Sequence, residues 1–219
     1  MRPIEAFKYL VYRTPIIQKI AFPSYKYKVS PGELAFICNA IDKTRSIGGC
    51  VMEIGVAKGD TSTFILEHMK SVADSRIVHL IDTFAGFTSD SVKHEEDSRG
   101  KSHPQFDGFR YGNPNILSKA LSRNGYKNFN IVVGDAAALD YSRFGPISVV
   151  LLDIDLYKPT KEILSRIWPH LTSPGFICID DCYPNTHWDG SLQAYEEFIE
   201  ENGLPRSIIG GEGGTISKS

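Results

Sequence analysis

The stretch Cys50-Val51-Met52-Glu53-Ile54-Gly55-Val56-Ala57-Lys58-Gly59-Asp60-Thr61 decides how the chain folds. Its first five residues read as a strand. The glycine-bounded turn from Gly55 to Gly59 follows, and then a helix from about Asp60 to Lys70. Glycine at a strand exit lets the backbone approach a ligand closely. The spacing is E-x-G-x-x-x-G and not the dinucleotide fingerprint G-x-G-x-x-G. Taken alone, it fits a ligand loop and an ordinary turn equally well.

Working outward, the same grammar repeats. Arg76 to Ile81, Asn130 to Val133, Ile147 to Leu152 and Phe176 to Ile179 read as further strands. The run from Ile147 to Leu152 is nearly all apolar, as a strand buried on both faces should be. A helix from about Pro159 to His170 carries Ile163, Leu164 and Ile167 on one stripe. Another starts at Asp189, expected as its N-cap, and closes at Asn202-Gly203. Alternation of this kind predicts βαβ units and a parallel sheet. It stops after Gly203, where 205–209 and 215–217 flank a glycine-rich turn and predict a terminal hairpin. The whole chain, 1–219, is expected to be one domain. Residues 1–47 form a helical prefix in which Ser30-Pro31-Gly32-Glu33 is a capping box. Residues 83–112 are a long polar insertion after a strand's carboxyl end, which predicts an active-site lid.

Composition narrows the function classes. The chain has 219 residues, 42% hydrophobic and 23% charged, enough for a full core. Twenty-four Lys and Arg against 26 Asp and Glu give net −2, so neither nucleic acid nor an anionic membrane is expected as a partner. No apolar run approaches the ~20 residues of a membrane span. The charged N-terminus does not read as a signal peptide, and four cysteines without a C-x-x-C pair are expected to be free thiols. These features predict a cytoplasmic protein; assembly into a homo-oligomer is left open.

Ligands in open α/β sheets bind beyond the carboxyl ends of the strands. Asp82 ends the second strand, where an acid grips a ribose diol or stands solvated in a loop. Asp135, in Val133-Gly134-Asp135-Ala136, either accepts from an adenine amino group or caps the next turn. The fourth and fifth exits, Leu152-Asp153-Ile154-Asp155 and Ile179-Asp180-Asp181, place several carboxylates side by side on neighbouring strands. Such groups repel unless a cation or proton sits among them. Hard oxygen donors suit Mg²⁺, less so Mn²⁺ or Ca²⁺, whereas zinc lacks His and Cys at ligand spacing. The opposing reading has Asp180 or Asp181 capping a helix and Asp155 in solvent. His94, His103 and His187 read as surface histidines before catalytic ones. Tyr157 and Trp188 line a substrate or pack in the core, and Phe84 and Phe87 close over a nucleoside or tie down the loop.

Four segments together carry a resemblance: 53–59, Ile81-Asp82-Thr83-Phe84-Ala85-Gly86-Phe87, Asp153-Ile154-Asp155-Leu156-Tyr157-Lys158-Pro159-Thr160, and Pro174-Gly175-Phe176 running into Asp180-Asp181. Over about residues 48–200 the chain resembles the macrocin O-methyltransferase family, class I S-adenosylmethionine-dependent enzymes that methylate sugar hydroxyls of natural products. The resemblance implies a Rossmann-like seven-stranded sheet, mostly parallel with a reversed terminal strand and helices on both faces. It implies cofactor contacts by Glu53, Gly55, Gly59, Thr61, Asp82, Thr83, Phe84, Gly134, Asp135 and Asp153. It also implies Mg²⁺, or Mn²⁺, on Asp153, Asp180 and Asp181, with Asp153 or Asp155 as the base for a small-molecule hydroxyl. Cys182 departs from the pattern, since the family often has an aromatic after the acidic pair. Three other functions compete: a catechol-type methyltransferase acting on phenols, a nicotinamide dehydrogenase, and a non-catalytic nucleoside-binding module. The dehydrogenase lacks its glycine fingerprint and gives the acidic cluster no role, the catechol-type enzyme differs in its acceptor, and the binding module has no need for a metal.

Overall fold

The structure is a computed structural model and describes residues 3–15, 17, 24–102, 106, 109–110 and 112–219. Seven strands form one sheet: β1 (Cys50–Ile54), β2 (Val78–Asp82), β3 (Phe129–Val133), β4 (Ile147–Leu152), β5 (Leu171–Ile179), β6 (Ile208–Ile209) and β7 (Gly213–Lys218). Their order is β3-β2-β1-β4-β5-β7-β6. β1 to β5 run parallel, and β7 lies antiparallel to β5, as the terminal hairpin predicts. The α-helices among the described residues are α1 (Pro3–Tyr12), α2 (Pro31–Thr44), α3 (Asp60–Ser71), α4 (Ser89–Arg99), α5 (Pro114–Arg123), α6 (Tyr157–Ile167) and α7 (Gly190–Glu201).

Strand alternation divides the core into two layers. Met52, Ile54, Val150, Leu152, Ile177 and Ile179 face α6 and α7, meeting Ile163, Leu164, Ile167, Tyr195 and Phe198. Val51, Leu80, Val149, Leu151 and Cys178 face the opposite way, onto Leu34, Ile37 and Ile41 of α2 and Ile65, Leu66 and Met69 of α3. β1 and β4 are buried throughout because both faces are covered. The capping box forms as read. Ser30 Oγ accepts from the Glu33 amide, and the Glu33 carboxylate accepts from the Ser30 amide at 2.8 Å.

Three expectations need correction. The insertion 83–112 is not a loop throughout, since it holds α4. That helix has few apolar residues and is fixed by ion pairs: Arg99 bonds Glu95 at 2.8 Å and Asp189 at 2.5 Å. Helix α5 gave no clear signal, yet Asn113 caps it and Leu117 and Leu121 bury its inner face. Asp189 makes no side-chain cap on α7, because its carboxylate pairs with Arg99 and with Lys101, the latter at 2.7 Å.

Candidate active site

The strand register brings all five parallel exits to one edge: Ile54 lies opposite Ile81 and Leu152, and Leu152 opposite Ile179. A cavity of about 500 Å³ opens there, within the range of small-molecule sites. The β1 and β4 exits interlock: the Asp153 amide donates to the Ile54 carbonyl at 2.8 Å. Gly55 adopts φ +89°, and a Cβ there would lie 1.6 Å from the Asp153 carbonyl oxygen. No other residue fits that crossing.

Asp82 organises the glycine loop. Its Oδ2 accepts from the Val56 amide at 2.7 Å and the Ala57 amide at 2.9 Å, and its Oδ1 accepts from the Phe84 amide at 2.6 Å. Ala57 and Phe84 both hold positive φ, +48° and +53°. These are strained conformations for residues with a Cβ, and the aspartate bonds hold them in place. A carboxylate has about four acceptor positions, so three amides leave capacity for a ligand hydroxyl. Asp135 accepts from the Ala137 amide at 3.0 Å, which is the capping reading, and its side chain also lines the cavity. At Gly134 a Cβ would meet nothing within 4 Å, so its backbone faces open space.

Four residues expected to touch a cofactor stand outside the cavity wall. Glu53 is 1% exposed and faces α3, where the Ser62 hydroxyl donates to it. Burial pushes its carboxyl up to about 8. Gly59 ends the loop at φ +82°, and Leu117 leaves no room for a side chain there. Thr61 is buried in the first turn of α3, and Phe84 packs into the core layer beside Gly112. Gly55, Asp82, Thr83, Gly134, Asp135 and Asp153 do line the cavity.

At the β4 and β5 exits the carboxylates face one another. Oxygens of Asp153, Asp155 and Asp181 lie within 4.8 Å of each other. Asp155 and Asp181 reach this convergence through left-handed backbone, φ +60° and +58°. Asp180 groups differently from the expected set: its carboxylate joins Glu33 of α2 and Glu212 of the β6–β7 turn, again within 4.8 Å. Burial, then the charge of Asp181, raises Asp153 to about 8. Burial and the Asp153 charge hold Asp155 well above the usual carboxylate range, and raise Asp180 to about 11. So many hard oxygens in one place fit a divalent cation, with protons as the alternative occupant. Among the described residues, no His or Cys joins either carboxylate group.

Sequence reasoning missed Lys28, Thr88, Ser91, Phe109 and Tyr183, all of which line the cavity. Tyr183 was within reach: the aromatic absent at position 182 appears one residue later, while Cys182 is 2% exposed in the core. Trp188 and Phe87 line the cavity. Tyr157 instead donates to Glu197 at 2.7 Å and stacks on His94 at 5.4 Å. His187 does not line the cavity, and His103 lies outside the described residues.

The family profile of the macrocin-O-methyltransferases (TylF) matches residues 34–211, from α2 to the terminal hairpin. The chain belongs to the macrocin O-methyltransferase family. It is therefore an O-methyltransferase, and the glycine loop, the Asp82 clamp and the acid group occupy that family's span. No curated protein sequence matches it significantly. Solved structures give the same architecture. The O-methyltransferase NovP has a TM-score of 0.72 at 17% identity, covering 85% of this chain and 79% of its own. The calicheamicin methyltransferase CalS11 has 0.70 at 19%, covering 97% and 90%. A second CalS11 structure, named a TDP-rhamnose 3'-O-methyltransferase of calicheamicin biosynthesis, has 0.60 at 18%, covering 96% and 86%. At these identities the likeness establishes the class I methyltransferase fold. No helix among the described residues is long and apolar enough to cross a membrane.

Proposed function

We propose that this macrocin-family enzyme transfers the methyl group of S-adenosylmethionine to a hydroxyl of a glycosylated natural product or a related small molecule, assisted by Mg²⁺ or Mn²⁺. The observation that carries the reading is one cavity with two unlike ends. The Asp82-clamped glycine loop with Asp135 lies at one, and the convergent Asp153, Asp155 and Asp181 at the other. NovP and CalS11, similar in fold, are named as methyltransferases, the latter for calicheamicin.

Asp82, with acceptor positions to spare, would take ribose hydroxyls, and Asp135 would take the adenine amino group, with Ala136, Pro159 and Ile163 as the apolar wall. The sulfonium, when bound, supplies an electrophilic methyl group. The cation would be held by Asp153, Asp155 and Asp181, whereas Asp180 lies with Glu33 and Glu212. A divalent cation there would lower the pKa of an acceptor hydroxyl. Asp153 or Asp155, whichever is not engaged as a donor, takes the hydroxyl proton. Rigid strand exits would hold acceptor oxygen and methyl in line, and such alignment can supply ~7–11 kcal/mol.

Incubation with methyl-labelled S-adenosylmethionine and a panel of glycosides and phenols tests this. Label should enter a glycoside, vanish with chelator, and return with Mg²⁺ but not Zn²⁺. Label in phenols alone would replace the reading with a catechol-type one. Tight S-adenosylhomocysteine binding with no transfer to any acceptor would leave a nucleoside-binding module.

A further inference from the structure

The half of the cavity beyond Asp155 is aromatic. Phe87, Phe109 and Trp188 all line it, with ring centroids 4.9 Å apart for Phe87–Phe109, 6.1 Å for Phe87–Trp188 and 5.6 Å for Phe109–Trp188. Phe106, 4% exposed, backs Phe87 and Trp188 at 6.1 and 5.9 Å. The group is seated on Leu156, fully buried and next in sequence to Asp155, so the wall adjoins the acid trio. It is also anchored: Asp189, next to Trp188, is held by Arg99 and Lys101. Such a surface, exposed to a cavity and fixed from behind, is built to receive a flat apolar ring.

Charge narrows the ligand further. Asp82, Asp135, Asp153, Asp155, Asp180 and Asp181 line the cavity, and Lys28 is the one Lys or Arg among the described lining residues. Among the described lining residues, an acceptor carrying a diphosphate would find a single ammonium to pair with.

We infer that the acceptor is an uncharged or cationic aryl glycoside, not a sugar nucleotide: its sugar hydroxyls meet Asp153, Asp155 and Asp181, and its aglycone ring packs against Phe87, Phe109 and Trp188. The inference rests on the methyl-transfer reading above and adds the class of acceptor to it.

Equilibrium binding in the presence of S-adenosylhomocysteine and Mg²⁺ tests it. The probes are the 4-nitrophenyl, methyl and nucleoside-diphosphate derivatives of each of a panel of common hexoses and deoxyhexoses. The 4-nitrophenyl member should bind about tenfold tighter than the methyl member, with the nucleotide weakest. Trp188→Ala should erase the aryl advantage, and Phe109→Ala should reduce it. Trp188→Phe should restore most of it, and S-adenosylhomocysteine affinity should stay within about twofold in all three. Equal aryl and methyl affinities, a preference for the nucleotide, no aryl binding at all, or an aryl advantage that survives Trp188→Ala would each overturn the inference. If the wild-type protein does not bind S-adenosylhomocysteine, the methyl-transfer reading itself fails. If it binds and the aryl advantage is missing, only the acceptor class falls.

Discussion

At the β1, β2 and β3 exits the carboxylates are committed to the protein's own amides. Asp82 holds Val56, Ala57 and Phe84, and Asp135 holds Ala137. At the β4 and β5 exits they confront one another, Asp153 against Asp155 and Asp181, and Asp180 against Glu33 and Glu212. Both ends carry acids at strand exits, the second without the glycines of the first, and the first is self-satisfied while the second is not. An acid that accepts from N–H groups has part of its hydrogen-bonding capacity already engaged by the protein. An acid facing other acids in a buried pocket needs a proton or a cation. The difference teaches how one fold sets acids to two uses: the first end orders its own loops, and the second gathers carboxylates against one another.

The contrast breaks most sharply through the acid trio. Asp181→Asn or Asp153→Asn keeps shape and removes a hard anionic donor. Methyl transfer should fall on the order of a thousandfold, matching the several kcal/mol expected of a Lewis acid. S-adenosylhomocysteine affinity should change by a few-fold at most, measured by calorimetry. Normal turnover in both variants, unaffected by chelator, would show that the trio merely holds protons.

Asp82→Ala probes the self-satisfied end. It removes three amide acceptors as well as any ribose contact, so affinity and fold should weaken together. We expect S-adenosylhomocysteine affinity to fall ~10- to 150-fold, from the ~1.5–3 kcal/mol of charge-assisted hydrogen bonds, and the melting temperature to drop. A lower melting temperature with unchanged affinity would make Asp82 a loop clamp alone.

Glu53 sharpens the comparison through stability, without touching the cavity. It is a buried acid in the strand before the glycine loop, raised from an ordinary 4.5 to about 8, chiefly by burial. An acid raised on folding contributes stability that is fully present below its unfolded pKa, 4.5, and is lost as pH rises through about 8. Glu53→Gln lacks that proton equilibrium. Wild type should therefore lose stability relative to the variant between pH 4.5 and 8 in thermal melts. Parallel melting curves across that window would show that Glu53 is ionised at neutral pH.

Much of this architecture is written locally. The apolar runs at 50–54 and 147–152, the capping box at Ser30 and Glu33, and the glycine-bounded loop are short-range signals, and each appears as read. The acids at strand exits could also be located, because parallel strands bring their carboxyl ends to one edge whatever the side chains. Helix α4 left no periodic trace, since its order comes from Arg99 pairing with Asp189, 90 residues away. Asp189 stands at the N-cap as read, but its side chain makes no cap for the same reason: its carboxylate serves a distant partner.

The sequence by itself determined the parallel sheet, its reversed hairpin and the identity of the acidic exits, because these follow from periodicity, glycine placement and strand ends. Only the tertiary structure decided which acid faces which. Asp180 and Asp181 are adjacent in sequence, yet one joins Glu33 of a prefix helix and the other joins Asp153 and Asp155. It also decided that Glu53 turns inward to Ser62 and that Phe87, Phe109 and Trp188 meet as one wall. Side-chain direction at an exit depends on backbone torsions such as the left-handed turns at Asp155 and Asp181, and on partners far along the chain. Neither leaves a mark in the local pattern of residues.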